Sequence, residues 1–403
     1  MQRSSGFTPI FYVRGLNPPY TEAHIQVVNN IVKALLLQNI DSIIFNYRYK
    51  NHQNPNEKKF EQNIPIVYRD EVFHGERKSV AVYSSLMETL ATLKFLLIEK
   101  NLKFNGRHYV VNIVNCFRYP RVFAKEFLKT PIVLHFYMRK AMMGSLVNII
   151  VDKADKIITS SKSVAHYIEK TYNISERKTE ILYPPTDVNF YKPVDKNQAR
   201  RKLGISEKDK VILYIGNLRR ERFPEKIVLQ VLQCLVKDNI KIKLLIFAPK
   251  TDENIRRSVE IKAKVKKLDL TANVKIKAED LSEKEKSIIY GGSDVFLFPS
   301  LDPTVAVEPP LTVLEAMASG LPIVSNDMPS VREMITDEIN GLIVPLKNAE
   351  CSDLADRISP LLRDDEKITS LSFNARQTIV KKASFAHSCK KLIEIYSQLE
   401  LAR

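Results

Sequence analysis

The stretch from Phe298 to Asn326 reads FPSLDPTVAVEPPLTVLEAMASGLPIVSN. An apolar strand ends at Pro299-Ser300, a loop follows, and a helix opens at Leu311. The helix begins directly after Pro309-Pro310, where the missing N–H of proline costs little. Its first free amides, on Leu311 and Thr312, face the ligand edge of the domain, because open α/β sheets bind ligands at the carboxyl ends of their strands. Unpaired N–H groups and the helix dipole both favour an anion there, and a diphosphate suits them. Two carboxylates frame this anion site. Glu315 lies in the first turns of the helix, and a carboxylate that accepts two hydrogen bonds suits the vicinal diol of a ribose. Glu308, in the loop before the helix, is placed to hold hydroxyls of a transferred sugar. An isolated pair of glutamates at this spacing is more often a helix cap and a solvated side chain, so the residues around the pair decide the reading.

Working outward, strand-like and helix-like segments alternate along the whole chain, the mark of a parallel α/β sheet. The second half reads as strands at Val211–Ile215, Lys243–Phe247, Val274–Lys277, Asp294–Phe298, Pro322–Ser325 and Gly341–Val344. Helices fall between them, one with its start fixed by the S-x-x-E capping box of Ser282 and Glu285. The first half gives strands at Pro9–Val13, Ser42–Asn46, Tyr109–Val114, Ile132–Phe136 and Ile157–Ser160, and helices at Thr21–Gln38, Ser84–Lys100 and Ser163–Lys170. The polar, turn-rich residues between Asn46 and Lys78 read as a loop or small insertion. Adjacent prolines at Tyr183-Pro184-Pro185-Thr186-Asp187 stiffen a connector. The expected organisation is therefore a first Rossmann-like domain over residues 1–187, a second over 188–370, and a helical segment, 371–403, returning to the first.

The 403-residue length suits two such domains. The longest apolar runs fall short of the ~20 residues that span a bilayer. The N-terminus reads as a buried strand and not as a secretory signal. Cysteines 116, 234, 351 and 389 are scattered, which argues against a disulfide framework or structural zinc and for a reducing cytoplasm. The net charge of +16 is concentrated in residues 1–190, where 26 Lys and Arg stand against 16 Asp and Glu. A solvated surface, an anionic membrane face and a nucleic-acid face all accommodate it. Nucleic acid is the least favoured of the three, since no RNA- or DNA-binding pattern accompanies the charge. The apolar-basic run Met138 to Val151 reads equally as a core helix or a peripheral contact with the cytoplasmic membrane face.

The segment PPLTVLEAMASGLPIV resembles the signature of the retaining glycosyltransferase family 4, enzymes of the GT-B fold. By that resemblance Glu315 holds the nucleotide ribose and the Leu311 and Thr312 amides hold the distal phosphate. The family's first Glu precedes its second by eight positions, whereas Glu308 precedes Glu315 by seven; Val307 occupies the strict slot. A second match is Tyr214-Ile215-Gly216-Asn217-Leu218-Arg219-Arg220-Glu221-Arg222-Phe223. Physically it is a strand, a glycine permitting close backbone approach, and a cationic loop whose planar guanidinium groups suit a diphosphate. Arg222 falls on the family's Lys position, while Asn217 replaces its Arg, a charge that Arg219 or Arg220 is placed to restore.

In the first domain His135 ends an apolar strand, where a lone His is usually structural. The resemblance places it near the donor sugar, holding a hydroxyl or steadying the departing charge, and not as a general base. The opening loop, with Gly15 and Tyr20, matches the family's acceptor-side loop loosely. The sequence has no D-x-D and no His/Cys cluster with metal spacing, so neither a metal nor a cofactor is expected. What the resemblance implies is a two-domain GT-B enzyme with its active site in the interdomain cleft. It would transfer a sugar from a UDP- or GDP-sugar to a glycan or lipid-linked acceptor with retention, with His135, Glu308 and Arg222 nearest the chemistry. The alternatives are a sugar-nucleotide epimerase or phosphorylase of the same fold, and a non-catalytic glycosyltransferase-like subunit.

Overall fold

The structure is a computed structural model that describes residues 7–14, 23–47, 66–69, 96, 100, 108–114, 129–139, 147–302, 307–346 and 350–401. The chain forms two compact units, Met1–Pro185 with Phe385–Arg403, and Thr186–Ser384. Each is an α/β unit around one parallel sheet.

In the first unit the strands are β1 (Phe7–Arg14), β2 (Ile43–Tyr47), β3 (Ile66–Arg69), β4 (His108–Val114), β5 (Ile132–Phe136), β6 (Lys156–Thr159) and β7 (Thr179–Ile181). They pair in the order β3-β2-β1-β4-β5-β6-β7. β5 is buried along its whole length and β4 along all but its first residue. Strands covered on both faces read as continuous apolar runs, which is why VVNIV and IVLHF were legible in the sequence. The helix Ala23–Leu36 turns Ile25, Val28, Ile31, Val32 and Leu35 inward and packs against the last helix, Phe385–Leu401.

Two strands differ from expectation. β3 lies in the polar stretch read as a loop, and β7 lies just before the proline pair. Both are edge strands of three or four residues, too short for a period of two to emerge. In the run Met138 to Val151, the described part forms the helix Val147–Lys153, with Val147, Ile150 and Val151 buried in the core of the first unit. The helix expected at Ser84–Lys100 lies almost wholly outside the described residues.

The second unit contains β8 (Lys210–Ile215), β9 (Ile242–Ala248), β10 (Val274–Ala278), β11 (Val295–Phe298), β12 (Ile323–Ser325) and β13 (Gly341–Ile343) in the order β10-β9-β8-β11-β12-β13. Strand order reverses between β8 and β11, so the loops leaving these two strands diverge and open a crevice at their carboxyl ends. The predicted capping box forms: the Ser282 hydroxyl accepts from the Glu285 amide and the Glu285 carboxylate accepts from the Ser282 amide. The helix Leu311–Ala318 is buried nearly all round, which explains the unbroken apolar VLEAMA. Gly320, at φ +80°, supplies the left-handed residue that ends its last turn.

The return to the first unit begins at Phe385, not near 371, because the helix Asp365–Lys382 continues through that point. That helix packs on the helix Leu311–Ala318 of the second unit. Among the described residues no helix is long and apolar enough to cross a membrane.

Candidate functional site

The loop after β8 is built by side chains that claim its backbone groups one at a time. The Gly216 amide donates to the Phe247 carbonyl at 3.0 Å, continuing the β8–β9 ladder. The Tyr214 hydroxyl folds over it to donate to the Asn217 carbonyl at 2.6 Å. A Cβ on Gly216 would stand 2.7 Å from that hydroxyl oxygen. The glycine is thus demanded by a neighbouring tyrosine, whereas the sequence suggested room for a ligand. Asn217 spends its side-chain oxygen on the Arg219 amide at 2.8 Å, an Asx turn.

Leu218 is held at both ends. Its amide donates to Asn254 Oδ1 at 2.9 Å, and its carbonyl accepts from Arg257 Nε at 3.1 Å. Arg257 is itself buried and paired with Glu225 at 2.7 Å. Arg219 turns outward to pair with Glu253 at 2.9 Å and is 57% exposed, so its charge is largely spent on a surface contact. Arg222 differs: it is half-buried, with Tyr214, Asp302, Arg219 and Glu308 as its electrostatic neighbours. Burial pulls its guanidinium below the usual arginine range; Arg219 adds to this, while Tyr214, Asp302 and Glu308 oppose it. An arginine stays protonated under such shifts, so a poorly solvated cation stands at this edge of the sheet.

The loop after β11 is tied to the same structure. The Leu301 amide donates to the Glu221 carbonyl at 2.7 Å, and Asn326 Nδ2 donates to the Ser300 carbonyl at 2.9 Å. Residues 303–306 lie outside the description. Val307 and Glu308 are both buried, and Glu308 is one of the charged groups around Arg222.

Pro310 is the N-cap of the helix Leu311–Ala318, and no side chain caps it. The Pro310 carbonyl accepts from the Val313 and Leu314 amides. Among the described residues the Leu311 and Thr312 amides carry no hydrogen bond, and both residues are partly exposed. Two N–H groups of a helix N-terminus, without partners among the described residues, therefore stand at the edge of the sheet where Arg222 lies.

Glu315 is only 7% exposed and is gripped by groups the sequence reading did not single out. Tyr290 Oη donates to Glu315 Oε2 at 2.9 Å, and Lys286 Nζ donates to the same oxygen at 3.4 Å. Tyr191 is a further electrostatic neighbour of the carboxylate. Burial first, and Glu315 second, push both phenols above the usual tyrosine range, so they remain donors. The spacing of Lys286 and Tyr290 does put them on one helix face, but their meeting with Glu315 is a long-range contact that no local pattern announces.

In the first unit His135 is 1% exposed. Its Nε2 lies 2.9 Å from Asn112 Oδ1, and its Nδ1 accepts from Tyr137 Oη at 3.1 Å. Asn112 Oδ1 also accepts from Tyr396 Oη at 2.9 Å, which ties the last helix to β4. Both ring nitrogens are thus occupied by protein groups, and burial lowers the imidazole pKa to about 3. Gly15 and Tyr20 lie outside the described residues.

The low His135 pKa has a measurable consequence. The folded value lies below the unfolded one, so the stability it contributes is complete above about pH 6.5 and is lost as pH falls toward 3. Up to roughly 5 kcal/mol is involved. The urea midpoint of the wild type should fall with acid across that window, and His135→Gln, which cannot be protonated, should flatten the profile of midpoint against pH. Equal slopes for the two proteins would contradict the neutral buried ring.

Comparison with known proteins adds to this geometry. Residues 195–378, nearly all of the second unit, match the family described as glycosyl transferases group 1. The D-inositol 3-phosphate glycosyltransferase of Nocardia farcinica is 23% identical over 251 residues, which is 62% of this chain and 53% of that protein. The corresponding protein of Corynebacterium urealyticum is 26% identical over 255 residues, 62% of this chain and 58% of its own. The chain thus spans about half the length of the curated relatives it matches. Among solved structures, a glycosyltransferase from Rickettsia africae superposes with a TM-score of 0.76 at 16% identity, covering 98% of each chain. HepE from Anabaena, crystallised with UDP and glucose, gives a TM-score of 0.69 at 16% identity, covering 96% of this chain and 99% of its own. At such identities these structures establish the fold, GT-B, with two Rossmann-like α/β units.

Proposed function

We propose, from the match of residues 195–378 to the family described as glycosyl transferases group 1, that this protein transfers a sugar from a nucleotide-diphosphate sugar to a glycan or lipid-linked acceptor. The donor is a UDP- or GDP-sugar held by the second unit. One observation carries the reading: two helix amides, on Leu311 and Thr312, that have no partner among the described residues stand at the same sheet edge as the half-buried Arg222. Amides and a fixed cation are complementary to a diphosphate, and more so to the extra negative charge it gains on leaving. Glu315 takes the ribose hydroxyls, and Glu308, beside Arg222, takes hydroxyls of the sugar.

Transfer is proposed to retain anomeric configuration and to need neither metal nor cofactor, the departing charge being met by Arg222 and the amides. Neutral His135, with both nitrogens held, serves as a fixed support for its strand and takes no proton.

The test is thermal stabilisation by a panel of UDP-, GDP- and ADP-sugars, since a ligand that binds only the folded state raises its melting temperature. One member of the panel should stabilise the protein and be consumed when acceptor extracts are added. No stabilisation by any of them would remove the donor assignment. Asn217, bound up in its own turn where the resembling family carries Arg, favours a non-catalytic subunit as the second reading. Slow hydrolysis of a sugar nucleotide would reject that reading. Product analysis separates transfer from epimerisation, because an epimerase changes the donor without an acceptor.

A further inference from the structure

The surroundings of Glu315 are more elaborate than its own helix requires. A buried carboxylate needs partners, and one would suffice for satisfaction. Glu315 has two hydrogen-bond donors and a second phenol as an electrostatic neighbour, and they come from separate parts of the unit. Lys286 and Tyr290 lie on the helix Glu283–Gly292, while Tyr191 lies in the segment that follows the proline connector. The two tyrosines brace each other, with ring centroids 6.1 Å apart and planes at 76°. Tyr290 Oη also approaches the Thr312 carbonyl at 3.5 Å, in the first turn of the helix that carries the open amides.

We infer that Lys286 and Tyr290 are positioning residues that lock the Glu315 carboxylate into one orientation and thereby make the site selective for ribonucleotides over 2′-deoxyribonucleotides. The inference rests on the reading of Glu315 as the ribose acceptor. A carboxylate has about four acceptor positions, so two donors do not exhaust it. Both donors converge on the same oxygen, Oε2, which fixes the plane of the group. A fixed acceptor binds a diol without the ordering cost a free side chain incurs, and it cannot swing to compensate when a hydroxyl is missing. Lys286 has a second effect. Its ammonium offsets an anion that lies one turn from the diphosphate amides and would otherwise repel the ligand.

Calorimetric titration with UDP and 2′-deoxy-UDP, and with the matching GDP pair, tests this. Wild-type protein should prefer the ribonucleotide by about tenfold or more, the effect of one hydrogen bond to a charged group. Tyr290→Phe should shrink that preference to within about threefold while leaving 2′-deoxy-UDP affinity unchanged. Lys286→Met, at a partly solvated position, is the second variant and should shrink the same ratio. A structural role alone would weaken both nucleotides equally, and that result would overturn the inference. Glu315→Gln separates the two possible failures. If it leaves the preference intact, or if wild-type protein has none, the ribose reading of Glu315 is wrong. If it abolishes the preference while Tyr290→Phe and Lys286→Met keep it, the positioning inference is wrong.

Discussion

Arg222→Ala is expected to lower kcat/KM for sugar transfer by about 10²–10³-fold, the usual cost of removing one preorganised electrostatic group. The size of the effect follows from its surroundings. The guanidinium is half-buried, its backbone is pinned through Arg219, and the loop carrying it is clamped at Leu218 by Asn254 and Arg257. A cation fixed in poorly solvated surroundings interacts with developing charge far more strongly than one in water. The loss should fall mainly in kcat, because the diphosphate carries more negative charge as it leaves than in the bound donor. Arg219→Ala, by contrast, removes an exposed pair with Glu253 and should cost little. Steady-state kinetics with the donor from the nucleotide-sugar panel provide the measurement, with circular dichroism to verify folding. Equal activities for Arg222→Ala and Arg219→Ala would remove Arg222 from the mechanism.

The second large effect is on stability. Asp294 is 2% exposed and holds three partners: Lys196 Nζ, Arg200 Nη2 at 2.6 Å, and the Val211 amide at 2.6 Å. Arg200, itself buried, also donates to the Gly292 carbonyl at 3.1 Å and the Glu207 carbonyl at 2.8 Å. Asp294→Ala would strand the Arg200 charge in the interior and leave the Val211 amide unpaired, at a cost of about 3–5 kcal/mol. Denaturant unfolding of the variant should show this loss in the second unit. A change below about 1 kcal/mol would mean that the buried cation finds water or another partner. The consequence reaches the candidate site, since Val211 is the second residue of β8 and Asp294 immediately precedes β11, the two strands whose loops carry it.

How much of this was legible beforehand depends on the range of the interaction. The helix Leu311–Ala318 and its prolines were readable because capping and burial are local properties of consecutive residues. Buried strands such as β5 were readable because both faces demand apolar side chains. β3 and β7 were not, being edge strands whose existence is decided by pairing with β2 and β6. Glu315 was found from its motif, whereas Tyr191, Tyr290 and Lys286 were not, since each reaches it across more than twenty residues of chain. At Gly216 the sequence allows a close backbone approach, and the structure adds that Tyr214, two residues earlier, stands where a side chain would begin. His135 lies near the end of β5 as the sequence suggests, while Tyr396 of the last helix reaches its partner Asn112 across a separation that no local pattern announces.

The open amide of Leu311 offers the most direct test of the diphosphate site. Leu311→Pro deletes that one N–H at the first helical position, where proline is well tolerated. Pro310, at φ −61° and ψ 134°, already has the conformation a following proline requires. Calorimetry with UDP and uridine should show UDP binding weakened by about tenfold or more in the variant, with uridine binding unchanged. Undiminished UDP affinity in Leu311→Pro, or wild-type protein that binds uridine as tightly as UDP, would contradict a diphosphate seated on this helix.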